Sequence, residues 1–439
     1  MSDRVSGRAW FLLGVLMLAY MFAFIDRVML GLLVGPIQRD LGIGDTAFSL
    51  LAGFAFALLY TVLGIPIGVL VDRRPRLPLI ITGSALWTLA TAACGFAGSF
   101  SQLFVARVAV GIGEATLSPA ASSLIGDAFP PARRGVAMSL YACGITVGGG
   151  LALIGGGFLV GATEQIGTIN LPLLGEAAGW QLAFLLAGVA GLIVPLLLAF
   201  CREPLRRLSG PGLDKRALPW LKANLVPVAP IFLGYALMVI VNYALVLWVP
   251  AFYGRVHGLE PAQIGLAIGL SLLLAGSAGM LAGGTLSDRL VRSGRPHGPI
   301  LVVLVSIGIQ LPLFVGAMLV PSTPLSIALL AMATFAISMN GGLQTASVQA
   351  LAPNHLHGRV TALYLLCANI VGLGLGPTLI ALVAERLLGG PSEIGLALAL
   401  VGGSALLAAA VLVLVALPRA RRLCQQQTSV AAATHGAGS

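Results

Sequence analysis

Charge is scarce in this chain of 439 residues: 9% of them are Asp, Glu, Lys or Arg, whereas 58% are hydrophobic. Soluble proteins usually carry about 25% charged residues. A soluble domain of this composition would expose apolar patches far larger than soluble proteins tolerate. The shortage of charge therefore excludes an ordinary soluble globular protein.

Several chemical signatures are also missing. The five cysteines have no spacing typical of a metal site or of a disulfide framework. No Gly-x-x-x-x-Gly-Lys segment is present, so we do not expect the chain to hydrolyse ATP. No nucleophile–base pair stands out either. The sequence predicts a protein that is not an enzyme and has neither a cofactor nor a metal.

Long apolar runs are what the sequence has instead. Each is about 20 residues or longer, enough to cross a hydrocarbon core of about 30 Å at about 1.5 Å per residue. Because lipid cannot satisfy an open backbone, the runs are predicted to be transmembrane helices. The twelve runs are 10–35, 46–71, 78–98, 101–127, 136–160, 181–200, 225–251, 262–286, 299–320, 324–350, 359–386 and 394–417.

The net charge of +10 comes from 25 basic and 15 acidic residues. If the N-terminus is cytoplasmic, 20 of the basic residues fall in cytoplasmic segments and three, Arg39, Arg255 and Arg386, fall on the opposite side. This bias predicts that both termini are cytoplasmic. The basic balance is thus a signal of membrane topology, and we expect no nucleic-acid partner.

A stretch rich in Pro, Gly and charge, 201–224, separates six runs from six and is predicted to be a cytoplasmic linker on the membrane surface. The two halves repeat each other. Residues displaced by 216 positions match in "GIPIGVLVDRRPR" and "AGGTLSDRLVR": Gly68, Asp72 and Arg73 correspond to Gly284, Asp288 and Arg289. Internal repeats of this kind are typical of secondary transporters.

These features resemble the major facilitator superfamily over residues 8–420. The segment "GVLVDRRPR" is similar to the superfamily's signature G-x-x-x-D-R-x-G-R, with Pro75 where glycine is usual. The resemblance implies an all-α membrane protein of twelve transmembrane helices in two six-helix bundles, here 1–200 and 225–420. The remaining residues, 421–439, are expected to form a disordered cytoplasmic tail, and the protein is expected to be a monomer.

Within the superfamily, three stretches resemble the Spinster-like transporters and their bacterial relatives. They are "FIDRVMLGLLVGPIQRDLGI", "ARVAVGIGEATLSPAA" and "GWQLAFLLAGVAGLIVPLLLAFCREPLRR". The first two also resemble organic-anion symporters related to hexuronate carriers. Proton-coupled drug exporters typically carry a Gly-Pro pair in the fifth helix. Here that region reads "CGITVGGGLALIGGG", without proline, which disfavours a drug exporter.

Four charged residues lie well inside the runs: Asp26, Arg27, Arg107 and Glu114. Each costs about 2.5–3.5 kcal/mol to insert. At about 1.5 Å per residue, Asp26 lies about 24 Å from the cytoplasmic side, Glu114 about 20 Å and Arg107 about 30 Å. Arg107 and Glu114 are seven positions apart and share one helix face with Gly111. The glycines at 111 and 113 are expected to let the first helix approach.

We therefore predict one cluster of Asp26, Arg107 and Glu114, in which two carboxylates compete for one arginine. Burial and like charge favour the protonated form of at least one carboxylate, so the cluster is a candidate proton-coupling site. The resemblance supports this, because the matching residues are regarded as coupling residues in Spinster-like proteins. A permanent salt bridge that orients two helices is the alternative. Arg27, about 100° around its helix from Asp26, either binds an anionic substrate group or pairs internally.

The C-terminal half offers neutral polar groups instead. The displacement of 216 maps Asp26 onto Asn242 and Arg27 onto Tyr243. This asymmetry suits a solute with an anionic or zwitterionic head and a large apolar part. Packing or interfacial contact remains an alternative role for each aromatic candidate. The candidate cavity residues besides Arg27 are Tyr20, Tyr60, Tyr141, Asn242, Tyr243, Trp248, Asn340, Gln344, Tyr364 and Asn369.

A cytoplasmic gate is predicted at the helix ends, where charge pairs that form in one conformation and break in the other would set the balance between states. Simple anchoring of topology is the alternative. The candidates are Gly68, Asp72, Arg73, Arg76, Asp127, Arg133, Arg134, Gly284, Asp288 and Arg289.

Together these patterns predict a secondary active transporter of a bacterial inner membrane. It would move an amphiphilic or anionic organic solute, including a lysolipid-type substrate, with protons by alternating access. Its expected partners are that small organic or lipid-like substrate, protons and the bilayer. An organic-anion (hexuronate-like) proton symporter is the close alternative. A drug exporter, or a receptor or scaffold on a transporter fold, fits less well, because a scaffold has no need to bury charges.

Overall fold

A computed structural model of the chain describes residues 5–166, 169–171, 175–206, 217–353 and 356–436. Nearly all of these residues are helical. The helices of the first half are α1 (Gly7–Leu32), α2 (Val34–Leu41), α3 (Asp45–Ser49), α4 (Ala55–Arg73), α5 (Arg76–Cys94), α6 (Phe100–Glu114), α7 (Leu117–Ala128), α8 (Pro131–Ile166), α9 (Gly179–Gly191) and α10 (Ile193–Ala199). A two-stranded antiparallel hairpin between α8 and α9 pairs β1 (Ile169–Leu171) with β2 (Gly175–Ala177).

The second half continues in the same way. Its helices are α11 (Ala217–Ala223), α12 (Leu225–Val256), α13 (Pro261–Leu270), α14 (Ser277–Arg292), α15 (Gly298–Leu319), α16 (Thr323–Ser338), α17 (Leu343–Leu351), α18 (His357–Ala368), α19 (Gly376–Leu382) and α20 (Ile394–Gly436). Short segments of π-helix adjoin these elements at Leu50–Phe54, Ser271–Gly276, Asn369–Leu375 and Val383–Leu387. A 3₁₀ turn lies at Pro391–Glu393.

Eleven helical stretches within the described residues are long and apolar enough to cross a membrane. Large apolar side chains point outward along them, including Val105, Leu274 and Leu281, each exposed to 66% or more. Outward apolar side chains are expected where lipid replaces water. The predicted run 46–71 falls on α3 and α4, and several side chains of α4 lie outside the described residues. A twelfth span therefore stays a prediction.

One predicted span is interrupted at the point that matters most for the charged residues. The run 101–127 forms α6 and α7, with a turn at Ala115 and Thr116 directly after Glu114. Pro119 has no N–H to bond the carbonyl of Ala115, and its ring would clash with that carbonyl. The sequence thus places Glu114 at the end of a helix inside the membrane span.

Contacts divide the chain into two compact units: unit 1 comprises Met1–Gly210 and Val246–Leu273, and unit 2 comprises Pro211–Leu245 and Leu274–Ser439. The predicted bundles, 1–200 and 225–420, differ from these units in one segment, Val246–Leu273. That segment packs within unit 1 because glycines face each other. A side-chain carbon added to Gly265 of α13 would collide with the backbone of α8 at Leu153 and Gly157.

The region predicted as a disordered tail is helical up to residue 436, because α20 continues to Gly436. Ala420, Leu423 and Cys424 are buried there, so the first turns beyond the predicted span pack against the protein. In the predicted linker, residues 201–206 have no regular structure and 217–223 form α11. The stretch 207–216 lies outside the described residues.

Glycines set the distances between the helices of unit 1. Gly83 of α5 and Gly113 of α6 face each other, and a side-chain carbon on Gly113 would lie 2.6 Å from the carbonyl oxygen of Gly83. The expectation that Gly113 makes room for α1 is therefore wrong: it makes room for α5. The first helix instead packs on α8, where Gly144 and Gly148 lie against Met17 and Met21.

We expect Gly113→Ala to destabilise the protein by about 1–3 kcal/mol, because the added methyl group meets backbone atoms that cannot yield easily. Gly126→Ala in α7 is the matched control, since a carbon added there meets nothing within 4 Å. Alanine favours helix over glycine by about 1 kcal/mol, so the control should be neutral or stabilising. Thermal unfolding in detergent measures both. An equal fall in Tm for the two variants would contradict the packing argument.

Candidate functional site

Asp26 of α1 is buried and ionically paired with Arg107 of α6, and each of these residues is about 1–3% exposed. Its Oδ2 accepts a hydrogen bond from the Arg107 guanidinium. Its Oδ1 accepts one from the hydroxyl of Thr91 of α5, at 3.1 Å. Both oxygens of the Asp26 carboxylate are thus hydrogen-bonded, and the negative charge has a cationic partner.

Glu114, at the end of α6, forms a second ion pair with Arg27 of α1. Both bonds fall on one carboxylate oxygen, Oε2, which accepts from Nε of Arg27 at 3.1 Å and from its Nη2. The other oxygen, Oε1, is buried and accepts no hydrogen bond from any described residue. An ionised carboxylate with a bare buried oxygen is poorly compensated, which distinguishes Glu114 from Asp26.

The structure brings together the three residues predicted to form a cluster, but it corrects their pairing. We expected Asp26 and Glu114 to compete for Arg107. Instead Asp26 takes Arg107, and Glu114 takes Arg27, whose role had been left open. Successive residues of a helix point about 100° apart. Asp26 and Arg27 therefore reach different parts of α6.

Two residues of α5 that lie next to the cluster were not identified from the sequence. Thr91 is one, and it gave no sequence signal, because hydroxyl residues are common in membrane helices. Cys94 is the other: it is fully buried and close enough to feel the charges of both Arg107 and Asp26. Its spacing of three from Thr91 was the only available hint that both share one helix face.

The candidate cavity residues of unit 1 fall into two groups. Tyr60 lies beside the charged cluster, with its ring 5.3 Å from the guanidinium carbon of Arg27. Tyr20 stacks on Tyr141 at 4.7 Å between ring centres. Trp248, in contrast, is fully buried and packs against Phe48. The assignment of Trp248 to a cavity wall stays a prediction.

The candidates in unit 2 form neutral hydrogen bonds. The Tyr364 hydroxyl donates to Oε1 of Gln344 at 2.8 Å, and Asn340 accepts from the Ser306 hydroxyl at 2.6 Å. Asn340 and Tyr364 are 7% and 2% exposed, so both are packed inside the unit. The others, Asn242, Tyr243 and Asn369, are partly exposed, and Asn369 opens the wide turn Asn369–Leu375.

At the end of unit 1 that is predicted to be cytoplasmic, Arg76 joins three elements. Its guanidinium pairs with Asp127 at the end of α7 and with Glu203 after α10, and it donates to the Ser123 hydroxyl at 2.9 Å. Arg76 is 1% exposed. Arg76 and Asp127 were both among the predicted gate residues, whereas Glu203 in "CREPLRR" was not.

The remaining gate candidates are more exposed or less tightly packed than Arg76. Arg73, Arg133 and Arg289 are exposed and Arg134 is partly exposed, and the side chain of Asp72 lies outside the described residues. Asp288 is 70% exposed and lies 3.9 Å from Arg292, a pair of little energetic weight. A carbon added to Gly68 or Gly284 would meet nothing within 4 Å, so neither glycine is required for close packing.

A further ion pair that the sequence reasoning overlooked lies at the far end of unit 1. Arg255 of α12 donates to both carboxylate oxygens of Asp45 at 2.7 Å and to the side-chain carbonyl of Gln38 at 2.9 Å. Its guanidinium carbon lies 5.8 Å from the ring centre of Trp248. This bidentate contact fastens the end of α12 to the start of α3.

Comparison with known proteins agrees with this architecture. The model of the Major Facilitator Superfamily matches residues 16–377. An MFS-type efflux pump of Mycolicibacterium smegmatis is 29% identical over 94% of each chain. A probable sulfoacetate transporter of Cupriavidus necator is 30% identical over 66% of this chain and 67% of its own.

Among solved structures, a bacterial homologue of the human lysosomal transporter Spinster, in an inward-facing and unoccupied conformation, is similar. It superimposes with a TM-score of 0.77 at 26% identity and covers 97% of this chain and 98% of its own. The similarity therefore extends over nearly the whole length of both proteins. It agrees with the resemblance already seen in the first, fourth and sixth apolar runs.

The contact of Glu203 with Arg76 predicts a pH dependence of stability. Burial alone would raise the pKa of Glu203, but hydrogen bonds from the backbone and side chain of Arg76, and from the backbone of Leu77, outweigh burial and lower it. A lowered pKa contributes stability above the ordinary carboxyl pKa of about 4.3. That stability is lost as the pH falls through the lowered value.

We therefore expect Glu203→Gln to reduce the free energy of unfolding by about 1–2 kcal/mol at pH 7. The difference from wild type should narrow as the pH falls below about 4.5. Thermal unfolding between neutral pH and pH 3.5 measures this. Glu393→Gln, which alters an exposed carboxylate, should leave Tm unchanged. A Glu203→Gln deficit that stayed constant across the range would contradict the assignment.

Proposed function

The chain belongs to the major facilitator superfamily of transporters, and on that premise we propose that it moves an anionic organic solute together with protons by alternating access. The observation that carries this proposal is the ion pair between Arg27 and Glu114. A cation suited to an anionic substrate is held by a carboxylate that can accept a proton.

Protonation of Glu114 links the two transported species. While Glu114 is ionised it holds Arg27, and an anion would have to compete with it. A proton on Glu114 removes its charge, weakens the pair and releases the guanidinium for a carboxylate or sulfonate. Proton and anion therefore bind together. The reverse holds on release, because a proton that leaves Glu114 restores the internal pair and expels the anion.

The surroundings of Arg27 suggest the class of substrate. Its guanidinium carbon lies 5.3 Å from the ring of Tyr60 and 6.0 Å from that of Phe24. The side chain is 15% exposed, whereas Glu114 is 1% exposed. A planar guanidinium beside two rings suits a planar anionic group with an apolar part. The relative named as a sulfoacetate transporter supports a small organic acid.

A lysolipid-type amphiphile is the second candidate, favoured by the similarity to the bacterial Spinster homologue. Its anionic head would meet Arg27 in the same way. One relative is named as an efflux pump, but α8 carries no proline within its glycine-rich stretch, unlike proton-coupled drug exporters. The proposal places the protein as a monomer in a bacterial inner membrane with both termini cytoplasmic, in keeping with the distribution of its arginines.

The Arg76 network supports a proposed cytoplasmic gate. Arg76, Asp127 and Glu203 join the ends of α5, α7 and α10. Such a network favours one arrangement of these ends, and its loss would shift the balance toward the other. The exposed arginines nearby contribute to topology.

The test is transport in liposomes. A thermal-shift screen with sulfoacetate, small carboxylates and lysophospholipids first identifies a ligand. Wild type should then acidify the vesicle lumen as the ligand enters.

Glu114→Gln should bind the ligand with an affinity independent of pH and move no protons, because Arg27 is permanently released. Arg27→Gln should lower the affinity at least tenfold, the range expected for one charged hydrogen-bonded contact.

Glu393→Gln controls for the loss of a carboxylate, since its side chain is exposed in the turn before α20; it should transport as wild type does. Lysophospholipid binding without binding of small acids would favour the amphiphile. Proton movement by Glu114→Gln equal to that of wild type would refute the coupling role.

A further inference from the structure

The four hydroxyl side chains of α5, all of them described, do not behave alike. Thr82, Ser84 and Thr88 each donate to backbone carbonyls three or four residues earlier in their own helix. This is the usual arrangement for hydroxyls in membrane helices. Thr91 instead donates to Oδ1 of Asp26, a residue of another helix. Its hydroxyl therefore serves the Asp26 carboxylate and not its own backbone.

A small cavity adjoins this hydrogen bond. Phe22 and Ile25 of α1, Trp87 and Thr88 of α5, and Ala187 and Gly191 of α9 line it together with Asp26 and Thr91. Its space is about that of one water molecule. The Asp26 carboxylate and the Thr91 hydroxyl thus meet at the edge of a small free space.

We propose that Thr91 is a positioning residue for the coupling site. Its hydroxyl holds Asp26 ionised and turned toward Arg107, so that Glu114 is the carboxylate that takes up the proton. The part that concerns transport rests on the proposed function. The part that concerns the charge state of Asp26 does not.

The charges around Asp26 are consistent with this role. Arg107 and Glu114 face it from α6, and Cys94 from α5. Arg27 is its neighbour on α1 and pairs with Glu114. The helix α9 contributes uncharged residues, and α8 brings Tyr141 against Tyr20, not against Asp26.

Removal of the hydroxyl would therefore act on one carboxylate oxygen. Arg107 would still hold Oδ2, while Oδ1 would lose its donor beside the small cavity. An ionised carboxylate that loses a donor becomes easier to protonate. A hydrogen bond to a charged group is strong enough to move a titration midpoint by about one pH unit.

The decisive variant is Thr91→Val, which keeps the shape and removes the hydroxyl. Infrared difference spectra of the purified full-length protein, recorded across a pH titration, report the C=O stretch of protonated carboxyl groups. Loss of a band in Asp26→Asn assigns the Asp26 signal. We expect its midpoint to rise by about one pH unit in Thr91→Val. Thr91→Ser, which retains a hydroxyl, should restore the wild-type midpoint.

Thr88→Val is the matched control, because Thr88 lines the same cavity one turn away but bonds its own helix. It should leave the Asp26 midpoint unchanged. If Thr91→Val does not fold, Thr91→Ala provides the same measurement. An unmoved midpoint in the hydroxyl-free variant, or an equal shift in Thr88→Val, would overturn the proposal.

Transport measurements distinguish a failure of this inference from a failure of the proposed function. If wild type carries solute without protons, the proposed coupling fails, yet the spectroscopic result still decides the role of Thr91. If wild type couples protons, the pH at which proton uptake is half-maximal should move in Thr91→Val and return in Thr91→Ser. A coupled wild type whose profile Thr91→Val leaves unchanged would refute the link from Thr91 to coupling.

Discussion

The burial of two carboxylates inside an apolar helical unit is the constraint on which the site depends. An isolated charge in such a medium is costly, so each carboxylate must meet a cation. Side chains reach each other only if the helices approach to the right distance. The contact of Gly113 with Gly83 holds α6 on α5, and Gly144 and Gly148 hold α8 on α1. The glycine-rich composition and the scarce charges are two parts of one arrangement.

The two ion pairs use the same chemistry in different surroundings. Asp26 has an arginine on one oxygen and a hydroxyl on the other. Glu114 has both bonds on one oxygen, and its partner Arg27 is the more exposed of the two arginines. In the proposed mechanism the two carboxylates take different roles, Asp26 as a fixed charge and Glu114 as the group that takes up the proton. The Gly113→Ala prediction follows from the same dependence, because a shift of α6 against α5 would move Glu114 directly.

The sequence predicted the fold better than it predicted which arginine pairs with which carboxylate. Apolar runs predict where helices lie because the bilayer imposes their length and composition, and eleven of the twelve runs match described spans. Because charged residues are costly to bury in a membrane, the sequence also singled out four candidates: Asp26, Arg27, Arg107 and Glu114. Which arginine meets which carboxylate depends on the rotation of α1 about its axis. Contacts with α8 set that rotation, and a single sequence does not encode it in any pattern of spacing.

Residues without charge were the hardest to identify. Thr91 differs from Thr88 in the direction of its hydroxyl, which follows from the position of α1. Trp248 is buried because α12 ends in unit 1 and not in the half to which its sequence order assigns it. Sequence order predicts bundles, but glycine contacts between α13 and α8 decide where Val246–Leu273 packs.

Among the described residues of the second unit, no Asp, Glu, Lys or Arg side chain is buried. At the positions that match Asp26 and Arg27 it has Asn242 and Tyr243, and its interior polar groups are neutral: Tyr364 donates to Gln344, whose amide lies 3.5 Å from the sulfur of Met238. Neutral pairs bear a smaller desolvation cost than ion pairs, and they do not respond to pH. In a transporter driven by protons, a single charged unit is sufficient, because one titrating carboxylate links one proton to one anion. Duplicated charges would add cost and a second, uncoordinated titration. The asymmetry between the repeats is therefore consistent with the proposed mechanism.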